Sequence, residues 1–166
     1  MTDALPDRGM RARLQLMLSH PFLASAVARL PVVNALTMAW CATMATDGYY
    51  IYVDPTFCDR LTDEEISFVF AHETMHCILG HIDRREDRER NRWNRAIDYA
   101  TNALLVESGL QMPAEGLYGR KFLGMTAEDI YRELEEKEKE KGKENGTDGS
   151  GKPNSGEKGF DLHVDP

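Results

Sequence analysis

The sequence predicts an α+β domain that is mainly helical, with a small β-sheet or hairpin before its central helix. Thr62 and Glu65 form a capping box, which opens a predicted helix that ends near Gly80. Just upstream, an Asp47-Gly48 turn precedes Tyr49–Val53, a run of residues that favour strands, so two strands joined at this turn are the simplest arrangement. With 166 residues, of which 42% are hydrophobic, the chain can bury a sizeable core around these elements.

Apolar residues recur at helical spacing over residues 10–30, which predicts an N-terminal helical region. Pro21 lies within it and is expected to kink or break the helix, because proline lacks the amide hydrogen that an interior turn requires. The face expected to pack against the core carries Leu14, Leu18, Phe22, Ala26 and Leu30.

Two further helices are predicted downstream. One begins near Trp93-Asn94 and runs to about Glu107, with Gly109 just past its end as a stop signal. The other opens at Thr126 and continues into a run of glutamate and lysine, where pairs four residues apart each contribute a few tenths of a kcal/mol.

Composition divides the chain into three parts. Residues 1–135 contain all of the predicted elements and form the folded domain. Residues 136–160 are first highly charged and then rich in glycine and serine. Such a stretch cannot bury enough apolar area to offset chain entropy, so it is predicted to be a flexible linker. Residues 161–166 are interpreted as the start of a further segment or as a tail.

Charge and cysteine content exclude several classes of protein. A net charge of −8 argues against nucleic-acid binding, and the six arginines and three acids of residues 84–95 are expected to form salt bridges instead. No apolar run reaches the roughly 18 residues of a membrane span, so no membrane association is expected. Three cysteines without a CxxC pair exclude a disulfide framework and favour a reducing, cytoplasmic location.

The central predicted helix contains an HExxH motif formed by His72, Glu73 and His76. Four residues advance an α-helix by about one turn, so both imidazoles lie on one face and can reach one metal ion at about 2.0–2.1 Å. Glu73 would stand beside the open position of that metal, where a water binds. The carboxylate can then take the proton of the water and pass it to a leaving amine. Imidazole ligands favour zinc as the metal.

A zinc site in a hydrolase needs a third protein ligand. Asp98 is the first candidate, since it lies in the middle of a predicted helix among apolar and small neighbours, where a carboxylate needs a cation or a donor. His81 is the alternative, and it can bind the metal only if the chain turns at Gly80. It does not fit the HExxHxxGxxH pattern, whose third histidine would fall at position 82, which is isoleucine. His163 is a further candidate. Asn102, one turn after Asp98, is a candidate for orienting a ligand, with a helix-surface amide as the alternative.

Other residues have candidate roles. The Tyr49–Tyr52 segment is a candidate edge strand on which a peptide substrate could lie, with a plain core strand as the alternative. Tyr118 and Tyr131 are candidates for donating a phenol to an oxyanion, although packing is favoured for both. Cys77 is expected to be a buried, inert thiol that faces away from His76.

Several short strings, in combination, resemble a known family over roughly residues 10–135. That family is the bacterial putative metallopeptidase domain that commonly precedes a von Willebrand factor A-like domain. The resemblance implies a zincin-like fold, a zinc ion held by His72 and His76, Glu73 as catalytic base, and a von Willebrand factor A-like domain after the linker. The matching strings are Pro21-Phe22-Leu23, Thr46-Asp47-Gly48, Ala71-His72-Glu73 with His76, Gly80-His81, Arg84-Arg85, Trp93-Asn94 with Ala96, Asp98-Tyr99-Ala100 with Asn102, Leu117-Tyr118, and Ala127-Glu128 with Ile130-Tyr131.

The sequence therefore predicts a zinc-dependent metalloprotease that acts on a peptide or protein substrate. In this hypothesis His72, His76 and Asp98 bind zinc, and Glu73 activates water to attack the peptide carbonyl. The alternative is a non-catalytic, zinc-stabilised interaction module that works with a von Willebrand factor A-like domain and with an ATPase partner.

Overall fold

The computed structural model describes residues 7–144 and confirms a mainly helical α+β fold with a three-stranded sheet. In chain order the elements are α1 (Asp7–Ser19), α2 (Pro21–Arg29), β1 (Val32–Asn34), β2 (Met44–Thr46), β3 (Ile51–Val53), α3 (Pro55–Cys58), α4 (Asp63–Ile78), a 3₁₀ turn (Asp83–Arg85), α5 (Arg90–Glu107), a second 3₁₀ turn (Arg120–Phe122) and α6 (Ala127–Glu144). No helix between residues 7 and 144 has the length and hydrophobicity that crossing a bilayer requires.

The sheet has the strand order β1-β3-β2, with β1 parallel and β2 antiparallel to β3. The predicted hairpin is confirmed as β2 and β3. Its turn is held by Asp47, whose Oδ1 accepts hydrogen bonds from the amides of Tyr49 and Tyr50 at 2.8 Å, and by Gly48, whose φ of +91° favours glycine. The hypothesis of an edge strand at Tyr49–Tyr52 is wrong, because β3 lies in the centre of the sheet.

The N-terminal helices break where proline predicts, but they bury a different face. Pro21 is the first residue of α2, so α1 and α2 have separate axes, and no single apolar face runs through both. Leu18 is 84% exposed and Phe22 is 67% exposed. The core instead receives Leu16 and Leu23, which are fully buried. The predicted core face was therefore wrong at Leu18 and Phe22, since its spacing was continued across the break. Leu30, in contrast, is partly buried and packs against the core as predicted.

Helix α4 lies at the centre of the fold, where it packs against α1, α2, α5 and β2. The predicted capping box is present: Thr62 Oγ1 accepts from the Glu65 amide at 3.2 Å, and Glu65 Oε2 accepts from the Thr62 amide at 2.9 Å. The helix ends before Gly80, whose φ of +60° suits the left-handed end of a helix. Every residue from Ile66 to His76 is buried, so the HExxH motif lies inside the protein.

Helices α5 and α6 follow the predicted pattern with shifted ends. Helix α5 begins at Arg90, before the predicted Trp93, because the Glu89 side chain accepts hydrogen bonds from two amides of its first turn. Thr126 precedes α6, and its Oγ1 accepts from the Asp129 amide at 3.2 Å. Helix α6 continues to Glu144, past the predicted boundary at residue 135. Residues 145–166 lie outside the described residues, so the division into domain, linker and tail stays a prediction.

The arginine-rich segment forms salt bridges with α6, as its mixed charges predict. Arg92 contacts Glu135 at 3.0 Å and Glu138 at 2.8 Å. Arg84 binds both oxygens of Glu128, and its Nη1 donates to the carbonyl of Leu79 at the end of α4. Arg84 therefore connects the end of the motif helix to the first turn of α6.

Replacing Glu128 with glutamine is expected to lower the free energy of unfolding by about 1 kcal/mol at neutral pH, since the Arg84–Glu128 pair is partly exposed. Burial acts to raise the pKa of Glu128, but the hydrogen bond and charge of Arg84 outweigh it and the pKa is lowered. A folded-state pKa below the unfolded-state pKa stabilises the folded protein at pH values above the unfolded-state pKa. This stabilisation is lost as the pH falls through the folded-state pKa. Urea unfolding from pH 7 to pH 3 should therefore show the difference from wild type disappearing at low pH. The exposed Glu136→Gln variant serves as the control and should match wild type throughout.

Candidate metal centre

Two buried histidines of α4 and one buried aspartate of α5 bring their ligand atoms together. Nε2 of His72 lies 2.7 Å from Nε2 of His76. Oδ1 of Asp98 lies 3.6 Å from each of these nitrogens. All three ligand atoms lie within 4.8 Å of one another, and the group could hold a metal ion.

Local structure explains why these side chains meet. His72 and His76 are four residues apart on a continuous helix, which places one imidazole above the other on one face. Helix α5 packs on α4, and Asp98 lies in its buried middle, between Ile97 and Tyr99. A carboxylate in that position faces the neighbouring helix rather than solvent.

The distances permit a test of whether a metal ion fits. By plane geometry, the point equidistant from the three ligand atoms lies about 1.9 Å from each, close to the roughly 2.0–2.2 Å at which zinc contacts imidazole and carboxylate. Two imidazole nitrogens at 2.7 Å also need a cation or a proton between them, because their lone pairs repel. The donor set therefore fits a metal ion.

The burial of two carboxylates also favours a bound cation. Asp98 is 5% exposed and Glu73 is 0% exposed. An ionised carboxylate is costly to bury unless a cation or hydrogen-bond donors offset its charge. One divalent cation balances the charge of both carboxylates while the two imidazoles stay neutral.

The amide of Asn102 fixes the orientation of His72. Nδ2 of Asn102 donates to the carbonyl of Leu117 at 2.9 Å, so Oδ1 is the atom that faces His72. This oxygen lies 2.8 Å from Nδ1 of His72 and can only accept a hydrogen bond. Nδ1 therefore carries the proton, and the lone pair of Nε2 faces His76 and Asp98. The structure places Asn102 where the sequence predicted it, beside a candidate ligand.

His81 contacts His76, but at a ring nitrogen that is not one of the three ligand atoms. Its Nδ1 lies 2.7 Å from Nδ1 of His76, on the side of the ring opposite Nε2. The chain turns at Gly80, as a role for His81 requires, but the turn places its imidazole behind a ligand. The assignment of the third ligand to Asp98 stays a prediction that this geometry supports. His163 lies outside the described residues.

The remaining candidate residues have other surroundings. The hydroxyl of Tyr131 accepts hydrogen bonds from the Glu89 amide and from Arg92, so this tyrosine packs between α5 and α6 as favoured. Tyr118 is 44% exposed. Cys77 is half-buried rather than buried, and it lines the same cavity as His76. Its Sγ lies 3.2 Å from Oγ1 of Thr46, and burial raises the pKa of its thiol, which fits an inert cysteine.

Two features of the site were not predicted. Nothing in the sequence assigned a role to the carbonyl of Leu117, which orients Asn102. The pairing of His81 with His76 was also missed. The sequence signal for it is a histidine just after the glycine that ends the motif helix, because this turn brings the chain back beside the last histidine of the motif.

Comparison with known proteins identifies a matching family. The sequence profile of the family described as "Putative metallopeptidase domain" matches residues 5–163, which is nearly the whole chain. No curated protein and no solved structure gave a significant match. The resemblance drawn from the short motifs is thereby confirmed at the level of the family, whereas the von Willebrand factor A-like partner stays a prediction. The chain belongs to the family described as "Putative metallopeptidase domain".

Proposed function

We propose that the protein is a zinc-dependent peptide-bond hydrolase with a zincin-like arrangement of its site. One observation carries the proposal: two imidazoles and a carboxylate, from two helices, converge within the ligand distances of zinc, and Glu73 occupies the same buried helical turn. Imidazole with carboxylate oxygen is a ligand set that zinc accepts. Membership of the metallopeptidase family supports peptides or proteins as the substrate class.

In the proposed mechanism His72, His76 and Asp98 hold the zinc ion. When bound, zinc supplies a Lewis acid that polarises the peptide carbonyl and lowers the pKa of a coordinated water. Glu73 accepts the proton of the attacking water and delivers it to the leaving amine. Asn102 keeps His72 in the tautomer that presents Nε2 to the metal.

A cavity beside the site supports access by a substrate. Its volume is about 210 Å³, and it lies between the hairpin turn and the C-terminal end of α4. The lining includes Tyr49, His76, Cys77 and Ile82. Two aspartates also line it, so its wall is of mixed polarity.

The test is cleavage of a broad peptide library by the purified, zinc-loaded domain. The proposal expects cleavage that stops when a chelator removes zinc and returns when zinc is restored. Cleavage that persists after the chelator has removed zinc would come from a contaminating protease and would not support the proposal. Stoichiometric zinc binding without any cleavage would contradict the proposal.

A second function is favoured by the burial of the site. His72, Glu73 and His76 are all 0% exposed, and a zinc ion that is shielded from water and substrate would serve the fold rather than catalysis. In this alternative the domain is a zinc-stabilised interaction module that works with a von Willebrand factor A-like domain and an ATPase.

Zinc is expected to stabilise the fold under either function. A ligand that binds only the folded state adds about 2.7 kcal/mol at a free concentration 100-fold above its Kd, which raises the melting temperature of a domain of this size by roughly 10 °C. Differential scanning calorimetry with zinc and with a chelator measures the shift. Magnesium at the same concentration serves as the control, since an imidazole site binds it weakly. An unchanged melting temperature with zinc would contradict both functions.

A further inference from the structure

We propose that His81 is a positioning residue of the metal centre, which fixes the tautomer and orientation of His76 through a bond between their two Nδ1 atoms. The inference rests on the proposed metal site. It assigns to His81 a role different from that of a third ligand. The result is a site in which each histidine ligand has its own dedicated acceptor: an amide oxygen for His72 and an imidazole nitrogen for His76.

The position of His81 is built by the fold rather than left to a mobile loop. The residue is 1% exposed. Its amide donates to the carbonyl of His76 at 3.1 Å, and its carbonyl accepts from Nε1 of Trp93 at 2.9 Å. The Trp93 ring also packs edge-on against the imidazole of His81, with ring centroids 6.3 Å apart. Backbone and ring are thus both held in place beside His76.

The positions of the ring protons on His76 and His81 follow from the ligand geometry. A histidine that binds metal through Nε2 carries its proton on Nδ1 and donates it to a neighbour. For His76 the neighbour at 2.7 Å is Nδ1 of His81, which must therefore accept and hold no proton. The neutral imidazole of His81 then carries its single proton on Nε2.

A neutral imidazole is an uncommon acceptor for the outer N–H of a metal-binding histidine, which usually donates to a carboxylate, a backbone carbonyl or water. It draws the proton of His76 less strongly than a carboxylate does, so it orients the ligand while adding no negative charge to the site. With Asn102 as the other acceptor, both histidine ligands have neutral partners. Asp98 and Glu73 then supply the anionic groups of the site.

Zinc affinity in three variants tests the role. His81→Leu removes the acceptor and is expected to weaken zinc binding by about 10–100-fold, the usual loss when an outer partner of a ligand is removed. His81→Asn places an amide oxygen near the position of Nδ1 and should recover most of that loss. His20→Leu removes an imidazole near the protein surface and should leave the affinity unchanged. Competition with a chromophoric chelator measures the affinity, with zinc alone as the probe, and circular dichroism in chelator checks that each variant folds.

The tautomers can be read in the wild-type protein without any substitution. Long-range ¹H–¹⁵N spectra of the zinc-loaded domain should show His76 with a proton on Nδ1, and His81 with a proton on Nε2 and none on Nδ1. A proton on Nδ1 of His81, or full zinc affinity in a folded His81→Leu variant, would overturn the inference. Either result leaves the proposed hydrolase intact, whereas a wild-type domain that binds no zinc would end the proposed function itself.

Discussion

The Asp98→Ala variant is expected to lose stoichiometric zinc binding while keeping its helical fold. Oδ1 of Asp98 is the atom that closes the triangle with the two imidazole nitrogens, at 3.6 Å from each. Without it only two protein ligands remain, fewer than zinc hydrolases use. The loss in affinity should exceed the roughly 10–100-fold that removal of an outer partner costs. Metal analysis after gel filtration, together with chelator competition, measures it.

A conservative variant and a control variant complete this experiment. Asp98→Asn keeps the shape of the side chain and one oxygen but removes the charge, so its affinity should fall between those of wild type and Asp98→Ala. Glu107→Ala removes an exposed acid at the end of the same helix and should bind zinc as wild type does. Full zinc content in Asp98→Ala, with loss of zinc in His81→Leu, would transfer the role of third ligand to His81.

The Glu73→Gln variant should retain zinc and lose peptide cleavage by about 10²–10⁴-fold in kcat, the usual contribution of a general base. Glutamine has nearly the same shape as glutamate but cannot accept the proton of the attacking water. Steady-state kinetics on a cleaved peptide, paired with metal analysis of the same preparation, separates catalysis from metal binding.

Glu64→Gln is the matched control for this variant. Glu64 is exposed in the first turn of the same helix, so its substitution should leave both zinc content and kcat near the wild-type values. Cleavage by Glu73→Gln at the wild-type rate would remove Glu73 from the mechanism. A Glu73→Gln protein without zinc would show instead that this carboxylate helps to hold the metal.

Local signals in the sequence were sufficient for the elements that hold the site. The capping box at Thr62 and the glycine at position 80 delimit α4 because both act within one helical turn. The Asp47-Gly48 turn likewise identifies the hairpin, since its hydrogen bonds lie within four residues. Asp98 could be proposed as a ligand because an acid among apolar residues in a helix is costly without a partner.

Features that depend on tertiary contacts could not be predicted in this way. Strand β1 has only three residues and becomes a strand by pairing with β3, which is distant along the chain. The buried face of α1 depends on packing against α4, so the helical period alone selected the exposed Leu14 and Leu18. The contact between His81 and His76 depends on how the chain turns after α4 and on the anchor that Trp93 provides.

We propose that two imidazoles and one carboxylate bind a single zinc ion between α4 and α5. X-ray absorption at the zinc edge of the loaded domain tests it most directly. We expect one zinc per chain, bound only by nitrogen and oxygen at about 2.0–2.2 Å, with scattering from two imidazole rings. Sulfur at about 2.3 Å in the first shell, or a single imidazole, would contradict it.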